Sequence, residues 1–129
     1  MADSYTRKNL AEVDDSAARF GIGGVQEARF ANEDLHAEHI GVSYIRVKPG
    51  RKQAFAHKHE NAEEVYVVLK GSGRIKIDDE ILELEPLDAV RLAPQAIRML
   101  EAGSDGLEIL AFGPRHKGDG ELIQDWWTD

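Results

Sequence analysis

Two histidines and a glutamate in the middle of the chain have the residue types and the spacing of a metal site. His57 and His59 lie two residues apart, and Glu64 follows five residues after the second histidine. Side chains in a β-strand alternate between its two faces, so His57 and His59 point the same way. A turn over residues 60–63 would bring Glu64, on the next strand, beside both imidazoles. Two nitrogens and one carboxylate oxygen suit a divalent transition metal such as Fe, Mn, Ni, Cu or Zn.

The elements that must position these side chains are two β-strands, predicted over residues 54–59 and 64–70. By the same alternation, Phe55 shares the face of the two histidines, and Tyr66 shares the face of Glu64. A mostly apolar cavity with a few convergent polar groups is typical of a small-molecule site. We therefore expect Phe55 and Tyr66 to contact a ligand near the metal site, although core packing would explain each of them equally well.

The remainder of the chain predicts an all-β fold from residue 41 onward. Short strands recur between turn signals, which indicates a β-sandwich or a β-barrel. The sequence predicts a hairpin turn at Asp78-Asp79, a tight connection at residues 71–73 and a break between two strands at residues 103–106. Before residue 41 it predicts a short capped helical turn after Asp14-Asp15, a strand over residues 27–31 and a two-turn helix starting at Asn32.

The stretch from Gly50 to Gly71 resembles the first motif of the cupin superfamily, usually written G-x5-His-x-His-x3-4-Glu-x6-G. Every interval agrees except the one between Gly50 and His57, which is one residue longer. The resemblance covers about residues 41–113 and implies a double-stranded β-helix, or jelly roll, with a short N-terminal arm and helix. It implies one domain in three parts: residues 1–40 as an arm packing on the barrel, 41–113 as the barrel and 114–129 as a tail. The chain looks like one of the small single-domain cupins of unassigned activity.

The second cupin motif, usually G-x5-P-x-G-x2-His-x3-N, is where the chain departs from the family. When the motif is aligned on Asp88 and Pro94, Arg98 stands at the position of the histidine that is the fourth metal ligand. A guanidinium has no lone pair to donate, so Arg98 cannot bind a metal. Leu100 lies on the same face of this predicted strand as Arg98.

The substitution at Arg98 leaves two hypotheses open. In the first, His57, His59 and Glu64 hold a metal, and Arg98 binds an anionic substrate together with Tyr66, Phe55 and Leu100. The resemblance then implies a metal-dependent dioxygenase, isomerase or decarboxylase. In the second, Arg98 forms a charge-assisted pair with Glu64, and the protein is a metal-free, non-catalytic cupin that binds a small molecule.

Composition excludes some classes of partner. The net charge of −8 argues against nucleic-acid binding, which needs a basic surface. The N-terminus lacks the apolar segment of a signal peptide, and no run is long enough for a membrane helix, so we expect a cytoplasmic protein. We also expect a homodimer, because Val65, Val67 and Leu69 make the face opposite Glu64 apolar. We expect the adjacent Trp126 and Trp127 to be buried, either against one end of the barrel or against a neighbouring subunit.

Overall fold

The computed structural model describes residues 4–129, and antiparallel strands dominate it. A 3₁₀ turn at Leu10–Glu12 and a short helix α1 at Ser16–Arg19 precede the strands. The strands are β1 (Gln26–Phe30), β2 (Ile40–Val47), β3 (Ala56–His59), β4 (Glu64–Ile77), β5 (Glu80–Leu84), β6 (Ala89–Leu92), β7 (Arg98–Pro114) and β8 (Gly120–Ile123). The all-β prediction is confirmed.

Strand β7 is the centre of the curled sheet. Its C-terminal half pairs with β2 and its first residue with β3, while β4 pairs along most of its length. Strand β4 also pairs with β5 and β6. The sheet therefore closes around an apolar interior, which includes Val68, Ile75, Leu100, Leu107 and Ile109. This arrangement is the predicted cupin barrel.

Strands β4 and β7 are each continuous where the sequence predicts two strands. The predicted connections at residues 71–73 and 103–106 are bulges, and the β4–β7 register shifts between Val68 and Gly73. Gly71 has a φ of +80°, and a Cβ there would lie 2.0 Å from the carbonyl oxygen of Gly106. A tight turn and a G1 bulge can both use a glycine at positive φ, so the sequence signal is the same for the two. The two-residue turn at Asp78-Asp79 is confirmed.

The N-terminal segment forms the capped helix and lacks the second predicted one. Asp15 caps α1 by accepting from the backbone N–H of Ala17, and the same oxygen accepts from the N–H of Ala28 in β1. The prediction of a helix from Asn32 is wrong: residues 32–36 form turns, and the Asn32 side chain accepts from the N–H of Val42 in β2. Within residues 4–129 no helix is long and apolar enough to span a membrane.

The C-terminal segment returns to the barrel after Pro114. Strand β8 pairs antiparallel with β3, placing Gly120 opposite His59 and Ile123 opposite Ala56. Trp127 is 3% exposed and packs with Ala56 and Met99 in a second apolar cluster. Lys52 and Arg74 lie over its ring. Ala56 alternates with His57 along β3, and Met99 alternates with Leu100 along β7, so both face outward and the tryptophans pack on the outer face of the sheet of their own chain. This position is neither of the two expected ones, an end of the barrel or a neighbouring subunit.

Candidate functional site

The two histidines of β3 point the same way into the barrel, as the strand alternation predicts. The side chains of His57 and His59 are 20% and 18% exposed. Their ring centroids are 5.2 Å apart, and their planes are nearly perpendicular at 88°. Strand β3 thus holds two imidazoles close together at the inner surface of the barrel.

Glu64 begins the next strand and directs its carboxylate at both imidazoles. Its Oε1 lies 3.4 Å from Nε2 of His57 and 3.1 Å from Nε2 of His59. One donor atom from each of the three residues lies within 4.8 Å of the others, so the group could hold a metal ion. The turn between β3 and β4 therefore brings Glu64 beside both imidazoles, as the sequence predicts.

Arg98 reaches the same point from the neighbouring strand β7. It is the first residue of β7, pairs in register with His57 and is completely buried. Its Nη2 donates to Oε1 of Glu64 over 2.6 Å. Its Nη1 contacts the carbonyl oxygens of Ala93, Pro94 and Ala96 at 3.3, 3.2 and 2.7 Å. The guanidinium thus joins the loop between β6 and β7 to Glu64.

The other predicted ligand contacts are divided between the site and the core. Tyr66 is 2% exposed, and its hydroxyl lies 3.5 Å from Nε2 of His57. Leu100 is fully buried in the main apolar cluster, and Phe55 is half-buried just before β3. The structure brings Arg98 and Tyr66 to the histidines and places Leu100 in the core. Their contact with a substrate stays a prediction.

Asp119 is a neighbour of the site that the sequence does not indicate. Its Oδ2 lies 3.4 Å from Nδ1 of His59, and its side chain is 4% exposed. The carboxylate also accepts from the backbone N–H groups of Asn61 and Ala62, in the turn between β3 and β4. Asp119 directly precedes β8, so only the return of the C-terminal segment places it beside His59.

A cavity of about 380 Å³ opens directly beside His59 and Glu64. One wall is apolar and includes Phe30 and Ala111 on the inner face of the sheet, and the residues at positions 115–117 also contribute to the lining. Its size falls within the range of small-molecule pockets. None of Arg98, Tyr66, Phe55 and Leu100 lines it.

Comparison with known proteins identifies the family. The family model of the cupin domain, Cupin_2, matches residues 43–109, just over half of the chain. This chain is a cupin. The match includes β3 and β4 with the three candidate ligands, and it extends through most of β7.

Individual relatives of this cupin agree with the family match. An uncharacterized protein from Methanocaldococcus jannaschii is 28% identical over 81 residues, which is 60% of this chain and 65% of the relative. The chain thus spans slightly less than two thirds of that relative's length. A cupin protein from Bacteroides fragilis is 25% identical with a TM-score of 0.70, over 99% of both chains.

Two further solved structures share the fold at lower identity. The polyketide cyclase RemF from Streptomyces resistomycificus is 18% identical with a TM-score of 0.74, covering 100% of this chain and 89% of its own. Oxalate decarboxylase from Bacillus subtilis is also 18% identical, with a TM-score of 0.75, covering 98% of this chain and 34% of its own. At this identity the likeness concerns the fold.

The donor atoms of this cupin fit a divalent transition metal in type and in spacing. Metal–ligand bonds of about 2.1 Å place adjacent ligand atoms roughly 3.0 Å apart at an octahedral angle and roughly 3.4 Å apart at a tetrahedral angle. The separations from Oε1 of Glu64 to the two Nε2 atoms, 3.1 and 3.4 Å, lie within that range. Both ring nitrogens of His59 are buried and make no well-aligned hydrogen bond, although carboxylate oxygens of Glu64 and Asp119 lie 3.1 and 3.4 Å from them. Such groups are rare unless another ligand satisfies them.

The charge states of the site also suit metal binding. Burial raises the pKa of Glu64, but hydrogen bonds from His57, His59 and Arg98 outweigh it and hold the pKa well below its usual range. Burial lowers the pKa of His57, and the positive charge of Arg98 lowers it further, against the opposing effect of Glu64. At neutral pH the site therefore contains an ionised carboxylate and a neutral imidazole, the forms that donate to a metal.

Proposed function

We propose that this cupin binds a divalent transition metal through His57, His59 and Glu64, and that it takes a small anionic molecule into the adjoining cavity. The observation that carries the proposal is the convergence of three donor atoms within 4.8 Å. The Nε2 of His59 adds support, since a buried ring nitrogen without a well-aligned hydrogen bond is rare. His59 and Glu64 also line the cavity, so a ligand there would lie next to the metal.

Each polar residue has a separate task in this proposal. His57 and His59 offer their Nε2 atoms, and Glu64 offers a carboxylate oxygen. A bound metal would supply Lewis-acid polarisation of a ligand oxygen. Arg98 fixes Oε1 of Glu64 and adds a positive charge beside the metal ligands, which lowers the affinity for a dication. We therefore expect a weaker site than one with a fourth histidine.

Calorimetric titration with Mn²⁺ and with Ni²⁺ tests the proposal. We expect wild type to bind at one site per chain, and His59→Asn to bind at least roughly tenfold more weakly, since one of three ligands is lost. His39→Asn is the matched control, because the side chain of His39 is 95% exposed and lies outside the ligand group. Equal affinities of wild type and His59→Asn, or no binding by wild type, would contradict the proposal.

A second candidate function is supported by the ion pair between Arg98 and Glu64. The 2.6 Å hydrogen bond from Arg98 is made to the same carboxylate oxygen of Glu64 that faces both histidines. In this alternative the protein is a metal-free, non-catalytic cupin that binds its small molecule without a metal. Elemental analysis of protein purified without a metal-affinity tag, followed by the same titration, separates the two. Metal-free protein that gives no binding heat would favour the alternative.

We further propose that the protein is a homodimer. Apolar side chains remain in solvent, with Leu69 46%, Ile40 56% and Leu122 59% exposed. Trp127 no longer supports the proposal, since its own chain covers it. Sedimentation equilibrium at micromolar concentration should give about twice the chain mass of 14.4 kDa. A mass equal to that of a single chain would refute the dimer.

A further inference from the structure

The cavity beside His59 and Glu64 has two chemically different parts. Its apolar wall includes Phe30 from β1 and Ala111 from β7, which share the inner face of the sheet. At another part of its lining, after the end of β7, lie Arg115, His116 and Lys117. A ligand that fills this space therefore meets apolar surface along one side and basic side chains on another.

The ionised groups of the lining leave one positive charge without a partner. Glu64 is paired with Arg98, and Glu33 is paired with Arg115. Arg115 is also anchored by a 2.6 Å bond from Nη1 to the carbonyl oxygen of Ala37. Over residues 4–129 no acidic side chain pairs with Lys117, which is exposed. The cavity thus presents a free ammonium, although the chain as a whole has a net charge of −8.

Arg98, the expected anion-binding residue, is already engaged. Its Nη2 donates to Glu64, and its Nη1 contacts three backbone carbonyl oxygens. It is completely buried and does not line the cavity. An anionic ligand in the cavity would therefore not pair with Arg98. Lys117 is the cationic side chain of the lining that could pair with it.

We infer that the cavity takes a small amphipathic carboxylate, with its acid group at Lys117 and its apolar body against Phe30 and Ala111. This inference rests on the proposed function and names the chemical class of its ligand. A volume of about 380 Å³ suits a body of one or two rings or a branched chain of similar size. Lys117 is a specificity-determining residue that discriminates acids from their neutral analogues.

The test compares 1-naphthoate with 1-naphthamide, which differ in charge and little in shape. Binding of each is measured by calorimetry on wild type, Lys117→Gln and Lys117→Glu, and at two salt concentrations. We expect wild type to favour naphthoate, Lys117→Gln to lose roughly two- to fivefold of naphthoate affinity, as for a partly exposed ion pair, and Lys117→Glu to lose more. Naphthamide affinity should not change, and added salt should weaken only naphthoate binding.

Lys70→Gln is the matched control, since Lys70 is exposed on β4 and does not line the cavity. It removes the same charge and should leave both affinities unchanged. Equal naphthoate affinities of wild type and Lys117→Glu, or no naphthoate binding by wild type, would overturn the inference. Metal titration of the same variants keeps the two proposals apart. Naphthoate binding through Lys117 in a protein that binds no metal would refute only the metal site.

Discussion

The two corners of the barrel that meet at the site supply opposite chemistry. The corner between β3 and β4 contributes three metal-donor side chains, His57, His59 and Glu64. The corner between β6 and β7 contributes Arg98, which has donor N–H groups only. Arg98 nevertheless pairs in register with His57, so its Cα lies at the strand position that a fourth ligand would occupy. The backbone is that of a cupin at both corners, and the side chains differ.

This difference shows that the strand register fixes where position 98 lies, while the side chain decides what it does there. The guanidinium holds Glu64 and the three carbonyl oxygens of the β6–β7 loop together. A metal-binding side chain at position 98 would complete a metal site. Arg98 instead connects the β6–β7 loop to Glu64. Substitutions at the two corners should therefore separate stability from metal affinity.

The largest effect is expected for Arg98→Met, which removes the charge and keeps much of the side-chain length. Glu64 would lose its closest partner, and the loop carbonyl oxygens would lose theirs. Removing one member of a buried ion pair costs about 3–5 kcal/mol, and the partial exposure of Glu64 at 19% places the expectation near the lower end. Chemical denaturation measures the change in the free energy of unfolding.

The control for that prediction is Arg91→Met, which breaks the exposed pair between Arg91 in β6 and Glu63, the residue before β4. An exposed pair is worth about 1 kcal/mol or less, so this variant should unfold nearly as wild type does. Adding Glu64→Gln to Arg98→Met should recover part of the loss, because the unpaired charge is removed. A loss for Arg98→Met no larger than for Arg91→Met would show that the buried pair is not important for folding.

The next effect concerns metal affinity in Arg98→His. Two unit charges about 4 Å apart at an effective dielectric near 20 interact by about 4 kcal/mol, so Arg98 opposes a nearby dication. A neutral imidazole removes that repulsion and adds a nitrogen donor. We expect the affinity for Ni²⁺ or Mn²⁺ to rise at least tenfold, or about 1.4 kcal/mol. Calorimetric titration of wild type and Arg98→His measures it.

The double variant Arg98→His with Glu64→Gln tests whether the gain in metal affinity depends on Glu64, at the corner between β3 and β4. It should lose much of the added affinity, because the carboxylate supplies both a ligand and a compensating charge. Equal affinities of wild type and Arg98→His would mean that position 98 does not contribute to the metal site, despite its pairing with His57.

The sequence predicts the first corner well because the relevant geometry is local. His57, His59 and Glu64 lie within eight consecutive residues, so strand alternation and one turn suffice to bring them together. Arg98 could be placed only through the spacing of the second cupin motif. The alternatives for its role stayed open because the sequence contains no information on which groups its five N–H donors would meet.

Asp119 and the cavity were missed because distant segments create them. Asp119 reaches His59 only through the pairing of β8 with β3, and a lone acid between two glycines gives no sign of it. The cavity lies between residues of β1, β2, β7 and the segment after β7. The same limit explains the continuous strands β4 and β7, since glycines at positive φ permit a turn or a bulge, and pairing across the sheet selects the bulge.

The smallest expected effect tests Asp119 as a positioning residue for His59. A carboxylate 3.4 Å from Nδ1 favours the tautomer with the proton on Nδ1, which leaves the lone pair of Nε2 free to bind a metal. Asp119→Asn keeps an oxygen that can accept from the N–H groups of Asn61 and Ala62, but it removes the charge. Since such partners of ligating histidines typically contribute ten- to a hundredfold to metal affinity, we expect a loss of roughly tenfold for this conservative change. Asp79→Asn, in the exposed turn between β4 and β5, removes the same charge far from the ligands and should leave the affinity unchanged. A purely structural role for Asp119 would lower the midpoint of thermal unfolding without changing metal affinity in the folded protein, and that result would refute its part in the site.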